Sequence, residues 1–258
     1  MTVRQPTDGG EGLMGAEHGP LLIAHRGDPS RGPENTVASI RLALEARPDL
    51  VEVDVHLSAE GDPVVIHDAT LERTTSGTGK VSSLRLEELR QLDAGRWYGQ
   101  AFAGEHMPTL EEAWEAVGGG SRLLVELKGA GTGTVVGRWA RGLKGRVPAF
   151  ISFRVQELGQ LKEELPTAEL RLLGAQAMFA NDLFASLLSS AQELGCAGLV
   201  VSGKECPPAA FGQAHDRGLG LWVGSLNEPK KWEELIGLGA DGLITDKPVE
   251  LRRFLTNS

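Results

Sequence analysis

Along the chain, short apolar runs alternate with longer amphipathic stretches. The runs are LLIAH (21–25), LVEVDV (50–55), PVVIH (63–67), RLLVEL (122–127), PAFISF (148–153), ELRLLG (169–174), GLVVS (198–202), GLWVG (220–224) and DGLITD (241–246). Most are nearly continuous in apolar residues, as expected of strands buried on both faces of a parallel sheet. Between them, TVASIRLALEA (36–46), TLEEAWEAV (109–117), VQELGQLKEEL (155–165), LFASLLSSAQEL (183–194) and PKKWEELIGLG (229–239) carry apolar residues at helical spacing, several closed by glycine. Thr109 with Glu112 three residues later forms a capping-box pattern. Strand, helix, strand, helix predicts an α/β fold with right-handed crossovers.

One junction breaks the alternation. LVEVDVHLS and PVVIHD are separated only by AEGD, too short for a parallel crossover and suited to a hairpin. Setting PVVIH aside as antiparallel leaves eight parallel strands, the number in a (β/α)8 TIM barrel, with a small insertion following the third (hairpin) strand. A doubly wound open sheet is the alternative, but no glycine-rich dinucleotide fingerprint follows the first strand. A turn centred on Glu60 and Gly61 places Asp54 across from His67.

Within the hairpin strand, Glu52 and Asp54 share one face while Val51, Val53 and Val55 share the other. Two neighbouring carboxylates on a buried strand repel and lose hydration unless a cation or protons compensate. In RLLVELKG, Glu126 and Lys128 again share a face at a strand end, adding a third carboxylate. Three oxygen donors without cysteine or a second histidine at ligand spacing suit one hard divalent cation, Mg2+ or Ca2+, better than zinc. In a barrel all three lie toward the C-terminal strand ends, where active sites of this fold are built. The bland alternatives are an edge strand with solvated acids at 52 and 54, and a Glu126–Lys128 pair. Taken singly, His25 and His67 read as core or turn residues, Arg26 as a surface ion-pair partner and Lys128 as an ordinary strand-end charge; the set together carries the functional reading.

Composition narrows the field. The chain has 258 residues, 41% of them apolar, and a formal charge of −9, which argues against nucleic-acid and anionic-membrane partners. Cys196 and Cys206 have neither metal-ligand nor disulfide-framework spacing, so a reducing, cytoplasmic setting is expected. Residues 1–20, MTVRQPTDGGEGLMGAEHGP, read as a flexible leader without a signal-peptide core. Residues 21–258 read as a single barrel domain with 70–107 as a small capping insertion. No run reaches transmembrane length, and oligomeric state is not legible.

HRG at 25–27, PENT at 33–36, EVDVHLSAEGDPVVIHD at 52–68, PTLEE at 108–112, ELK at 126–128 and ITDKP at 244–248 together resemble the signature of bacterial glycerophosphodiester phosphodiesterases. The resemblance runs from about Ile23 to Pro248. It implies a TIM barrel holding one divalent cation on Glu52, Asp54 and Glu126. His25 and His67 match the catalytic pair, and Arg26 and Lys128 match the positive groups around the phosphate. The implied reaction is hydrolysis of a small glycerophosphodiester to an alcohol and sn-glycerol 3-phosphate through a cyclic phosphate. His67 is then the first base and His25 the first acid. Trp222 matches an aromatic that lines the substrate pocket, with core packing as its alternative. The family's Trp-Thr-Val-Asn run is here WVGSLNEP, which leaves Asn227 two positions late and its role open.

Other readings remain. A lysophospholipase D would keep one acyl chain on the substrate, favoured by an apolar groove near Trp97, Tyr98, Phe102 and Trp222. A non-catalytic phosphate-binding barrel, or a sugar-phosphate isomerase or aldolase, leaves the histidines and carboxylates without a joint purpose. Structural roles are expected for His56, His106 and His215.

Overall fold

The computed structural model describes residues 19–181, 183–203 and 205–257, so most of the expected leader (1–18) lies outside the described residues. The strands are β1 (Leu21–Ala24), β2 (Leu50–Leu57), β3 (Pro63–Val65), β4 (Arg122–Leu127), β5 (Ala149–Ser152), β6 (Leu170–Ala175), β7 (Gly198–Ser202), β8 (Gly220–Gly224) and β9 (Gly242–Thr245). The helices are α1 (Val37–Leu44), α2 (Leu86–Leu89), α3 (Leu110–Val117), α4 (Thr132–Arg141), α5 (Val155–Glu164), α6 (Phe184–Glu193), α7 (Pro208–His215), α8 (Pro229–Gly237) and α9 (Pro248–Asn257).

All strands except β3 pair in parallel, and the ring closes because β1 bonds both β9 (Ile23↔Ile244) and β2 (Ile23↔Leu50). The result is a (β/α)8 TIM barrel. Strand alternation divides its residues between two cores. Val51, Val53 and Val55 pack outward into the layer shared with the helices, while Leu21, Ile23, Leu50, Leu124, Ile151, Val200 and Ile244 fill the barrel axis. Glu52 and Asp54 share parity with Leu50, and Glu126 with Leu124. The axial packing of the strands therefore forces these three carboxylates into the barrel interior.

Helix starts follow local chemistry. Thr36 caps α1 by accepting from the Ser39 N–H, and Thr109 with Glu112 forms the expected capping box on α3. Pro208, Pro229 and Pro248 each open a helix, where the missing N–H costs nothing.

The hairpin differs from expectation in one respect. Val55 pairs with Val65 and His56 with Val64, and the Ile66 N–H donates to the Asp54 carbonyl, so Asp54 lies opposite Ile66 rather than His67. The loop is odd-numbered. Ser58 and Asp62 close it, and Gly61, at φ +89°, makes the left-handed step that absorbs the extra residue. His67 falls just past the pairing. After it, Leu71, Val81, Leu89 and Met107 of the following segment bury against Val64 and Ile66, giving residues 70–107 a small core beside the barrel mouth.

Trp222 is also corrected. It is 0% exposed inside the barrel, with the Arg171 guanidinium stacked 3.7 Å from its ring centre. Its strand neighbour is Gly242, the first residue of β9, where a Cβ would come within 2.6 Å of the indole. The glycine makes room for the ring, and Trp222 packs the barrel core instead of lining a substrate pocket.

Candidate active site

β1 ends at Ala24 and the chain turns at once. Arg26 has φ +53° and Gly27 φ +87°; a Cβ on Gly27 would lie 2.6 Å from the Ser39 backbone, so only glycine lets the turn press onto α1. The turn aims the Arg26 N–H at the barrel mouth, where it donates to Glu52 Oε2 at 2.9 Å. Asn35, at φ +58°, donates from Nδ2 to Asp54 Oδ2 at 2.8 Å and accepts the Asp54 N–H on Oδ1 at 3.1 Å. Left-handed backbone costs about 1–2 kcal/mol at a non-glycine residue. That strain falls on the two residues of this loop that hold the buried carboxylates.

Glu52, Asp54 and Glu126 each offer an oxygen within 4.8 Å of the others, and all three side chains are buried. Arg26 Nε lies 3.1 Å from Asp54 Oδ2, and Lys128 Nζ lies 3.2 Å from Asp54 Oδ1 and 2.7 Å from Glu126 Oε1. Burial, reinforced by Asp54 and Glu126, pushes the Glu52 carboxyl well above the ordinary range. Burial and Asp54 push Glu126 up to about 7 against the pull of Lys128. Burial acts the same way on Asp54, but Arg26 and Lys128 overcome it and hold that carboxyl below its usual value.

Two positive groups thus hold Asp54 ionised and leave Glu52 and Glu126 short of compensating charge. Glu52 Oε1 and Asp54 Oδ1 are buried and accept no hydrogen bond, although the Lys128 ammonium stands within ion-pair reach of Asp54. Buried acceptors left without a donor are costly, and a divalent cation among three hard oxygens would remove the deficit. The donor set fits Mg2+ or Ca2+ on Glu52, Asp54 and Glu126.

The two histidines are each anchored by a carboxylate. His25 Nδ1 lies 2.6 Å from Asp246 Oδ1, and His67 Nδ1 lies 2.6 Å from Asp68 Oδ1. A carboxylate accepts only, so each Nδ1 carries the proton and each Nε2 is left free. Asn227 secures the first pair, donating to Asp246 Oδ2 at 2.6 Å and accepting the Asp246 N–H at 2.9 Å. This is the place of the displaced asparagine in WVGSLNEP. His56 donates from Nε2 to the His67 carbonyl at 3.1 Å, steadying the backbone behind that ring.

A cleft of ≈ 590 Å³ opens here, lined by His56, His67, Glu126, Lys128, Phe153 and Arg154 among others. The structure therefore gathers Glu52, Asp54, Glu126, Arg26 and Lys128 into one charged cluster, of which Glu126 and Lys128 line the cleft together with His67. His25 stands directly before Arg26 at the same barrel mouth. Asn35 of PENT makes the pocket contact that is the alternative to a plain helix-start role, Asn227 takes the place left open for it, and Asp68 and Asp246 lie inside the quoted motifs, which assign them no role. Their signal is weak: Asp68 merely follows a histidine, and Asp246 lies 221 residues from the one it holds.

A TIM barrel with a buried carboxylate trio, paired cations and two carboxylate-anchored histidines at its C-terminal mouth has the make-up of a metal-assisted hydrolase. The model of the glycerophosphoryl diester phosphodiesterase family matches residues 25–250, and the chain belongs to that family. A glycerophosphodiester phosphodiesterase of Caldanaerobacter subterraneus subsp. tengcongensis is 34% identical over 244 residues, 90% of this chain and 96% of the relative. Among solved structures, a phosphodiesterase of Oleispira antarctica in complex with the product sn-glycerol-3-phosphate superposes with a TM-score of 0.85 at 29% identity, covering 93% of this chain and 98% of that one. The glycerophosphodiester phosphodiesterase of Agrobacterium tumefaciens gives a TM-score of 0.75 at 26% identity, over 91% and 99% of the two chains.

Proposed function

We propose that the protein hydrolyses small glycerophosphodiesters to an alcohol and sn-glycerol 3-phosphate through a cyclic phosphate. The observation that carries this reading is the pair of histidines, each with Nδ1 held 2.6 Å from a carboxylate, beside a buried carboxylate trio at one barrel mouth. Family membership supplies the substrate class.

Attack on phosphorus builds negative charge on the non-bridging oxygens, which Arg26 and Lys128 offset. A divalent cation held by Glu52, Asp54 and Glu126 would add Lewis-acid polarisation of the phosphate. His67 removes the proton from the glycerol 2-hydroxyl at Nε2. Burial lowers its pKa, which keeps the ring neutral and able to accept. His25, held by Asp246, protonates the departing alkoxide. The histidines then exchange roles as water opens the cyclic phosphate.

Phe153, 46% exposed at the cleft rim, favours one variant, in which an acyl chain on the glycerol lies along the ring and the substrate is a lysophospholipid. The test is to assay glycerophosphocholine, glycerophosphoethanolamine, glycerophosphoglycerol and a lysophospholipid side by side, measuring sn-glycerol 3-phosphate or its acylated form. Turnover of the small diesters, lost in His25→Ala and His67→Ala, is expected. Preferential turnover of the lysophospholipid selects the variant, and no turnover of any diester removes the reading.

A further inference from the structure

Arg73 lies in the segment after the hairpin, outside every motif that marks the site, and its side chain is 43% exposed. One isolated exposed ion pair contributes little. Arg73 instead makes four hydrogen bonds to two carboxylates. Its Nε and Nη2 donate to Asp68 Oδ2 (2.6 Å) and Oδ1 (3.1 Å). Its Nη1 and Nη2 donate to Glu34 Oε2 and Oε1, both at 2.9 Å. Each edge of the guanidinium fork is filled by one carboxylate, a geometry an ammonium cannot reproduce.

The far ends of those carboxylates are functional. Asp68 Oδ1 accepts from His67 Nδ1 at 2.6 Å, and Glu34 Oε1 accepts from Arg26 Nη1 at 2.9 Å. A continuous chain therefore runs from His67 through Asp68, Arg73 and Glu34 to Arg26, whose Nε reaches Asp54.

We propose that Arg73 is a positioning residue that locks the acid–base arm and the phosphate-binding arm into one geometry, by holding Asp68 against His67 and Glu34 against Arg26. The inference rests on the phosphodiesterase reading of the site. Two physical consequences give it content. On the histidine side, Arg73 fixes the carboxylate that selects the Nδ1–H tautomer and leaves Nε2 free. Asp68 is held down to about 2, first by the hydrogen bonds from Arg73, so it stays an acceptor. On the arginine side, Glu34 left with Arg26 alone would draw that guanidinium away from an incoming phosphate. Arg73 shares the Glu34 charge and leaves Arg26 available to substrate.

The test uses the full chain with Arg73→Ala and Arg73→Lys, read by steady-state kinetics and by 15N chemical shifts of the His67 ring in the substrate-free protein. In Arg73→Ala kcat falls tenfold or more, and the His67 signals move from a single Nδ1–H tautomer toward a mixture. Arg73→Lys, which keeps the charge but loses the double fork, recovers only part of the rate; it also provides the folded comparison should Arg73→Ala not fold. A purely structural Arg73 would lower the thermal midpoint without moving the tautomer. The proposal is overturned if Arg73→Ala keeps kcat within twofold, if its His67 tautomer is unchanged, or if Arg73→Lys restores the full rate. Should the wild type hydrolyse no glycerophosphodiester, the functional reading fails while the tautomer measurement still decides the positioning role.

Discussion

Glu126→Gln separates the electrostatic cost of the carboxylate trio from its use. Glu126 is buried and its carboxyl is pushed up to about 7, by burial first and by Asp54 second. Between an unfolded value near 4.5 and a folded one of about 7, linkage amounts to about 3 kcal/mol. The folded value is raised, so the folded state holds the proton more tightly. That stability is complete below pH ~4.5 and is lost as pH rises to ~7. Glutamine has no proton to lose and can still accept from Lys128. In chelator, wild type and Glu126→Gln should therefore be similar near pH 5. At pH 7.5 the variant should be the more stable by up to about 3 kcal/mol, roughly 6–12 °C in Tm for a chain of this size. Millimolar Mg2+ should recover the wild type and leave the variant unmoved. Urea and thermal denaturation at the two pH values measure this. A stability difference that does not change with pH, or a variant less stable than wild type at pH 7.5, refutes the reasoning.

Three further outcomes follow from the same geometry. In Asp246→Asn the one remaining acceptor oxygen is claimed by Asn227 Nδ2, which turns an amide NH2 toward His25 and disfavours its Nδ1–H form; kcat should fall by roughly 10² with KM changed much less, in steady-state assays on a small diester. Gly27→Ala sets a Cβ 2.6 Å from the Ser39 backbone at φ +87°, and should destabilise the fold by about 2–3 kcal/mol in denaturant titration. Burial pushes the Cys196 and Cys206 thiols up to about 11 and about 12; at pH 8 the native protein should be alkylated by iodoacetamide about 10²-fold more slowly than the urea-unfolded chain, as followed by mass spectrometry.

The barrel was legible because strand burial on both faces writes itself as continuous apolar runs, and because a four-residue link cannot make a parallel crossover. Glu52, Asp54 and Glu126 were legible for the converse reason, since a carboxylate inside such a run demands compensation. Register was less accessible. AEGD suggested an even turn, whereas Ser58 and Asp62 close an odd one, and one residue of difference moves Asp54 from His67 to Ile66. Depth within the barrel was not legible either. Trp222 shares its strand's inward parity, but only the barrel's packing shows that Gly242 and Arg171 enclose it. The partners of these motifs were not legible: ring closure brings Asp246 and Asn227 to His25 from the far end of the chain, and Arg73 lies in the post-hairpin segment outside every motif.

The proposed reaction requires a divalent cation held by Glu52, Asp54 and Glu126. The most direct measurement is release of sn-glycerol 3-phosphate from a glycerophosphodiester by the purified protein, first in chelator and then with Mg2+ or Ca2+ restored. The account predicts that release stops in chelator, returns with the cation, and does not return in Glu52→Gln. Release that continues undiminished in chelator would contradict it.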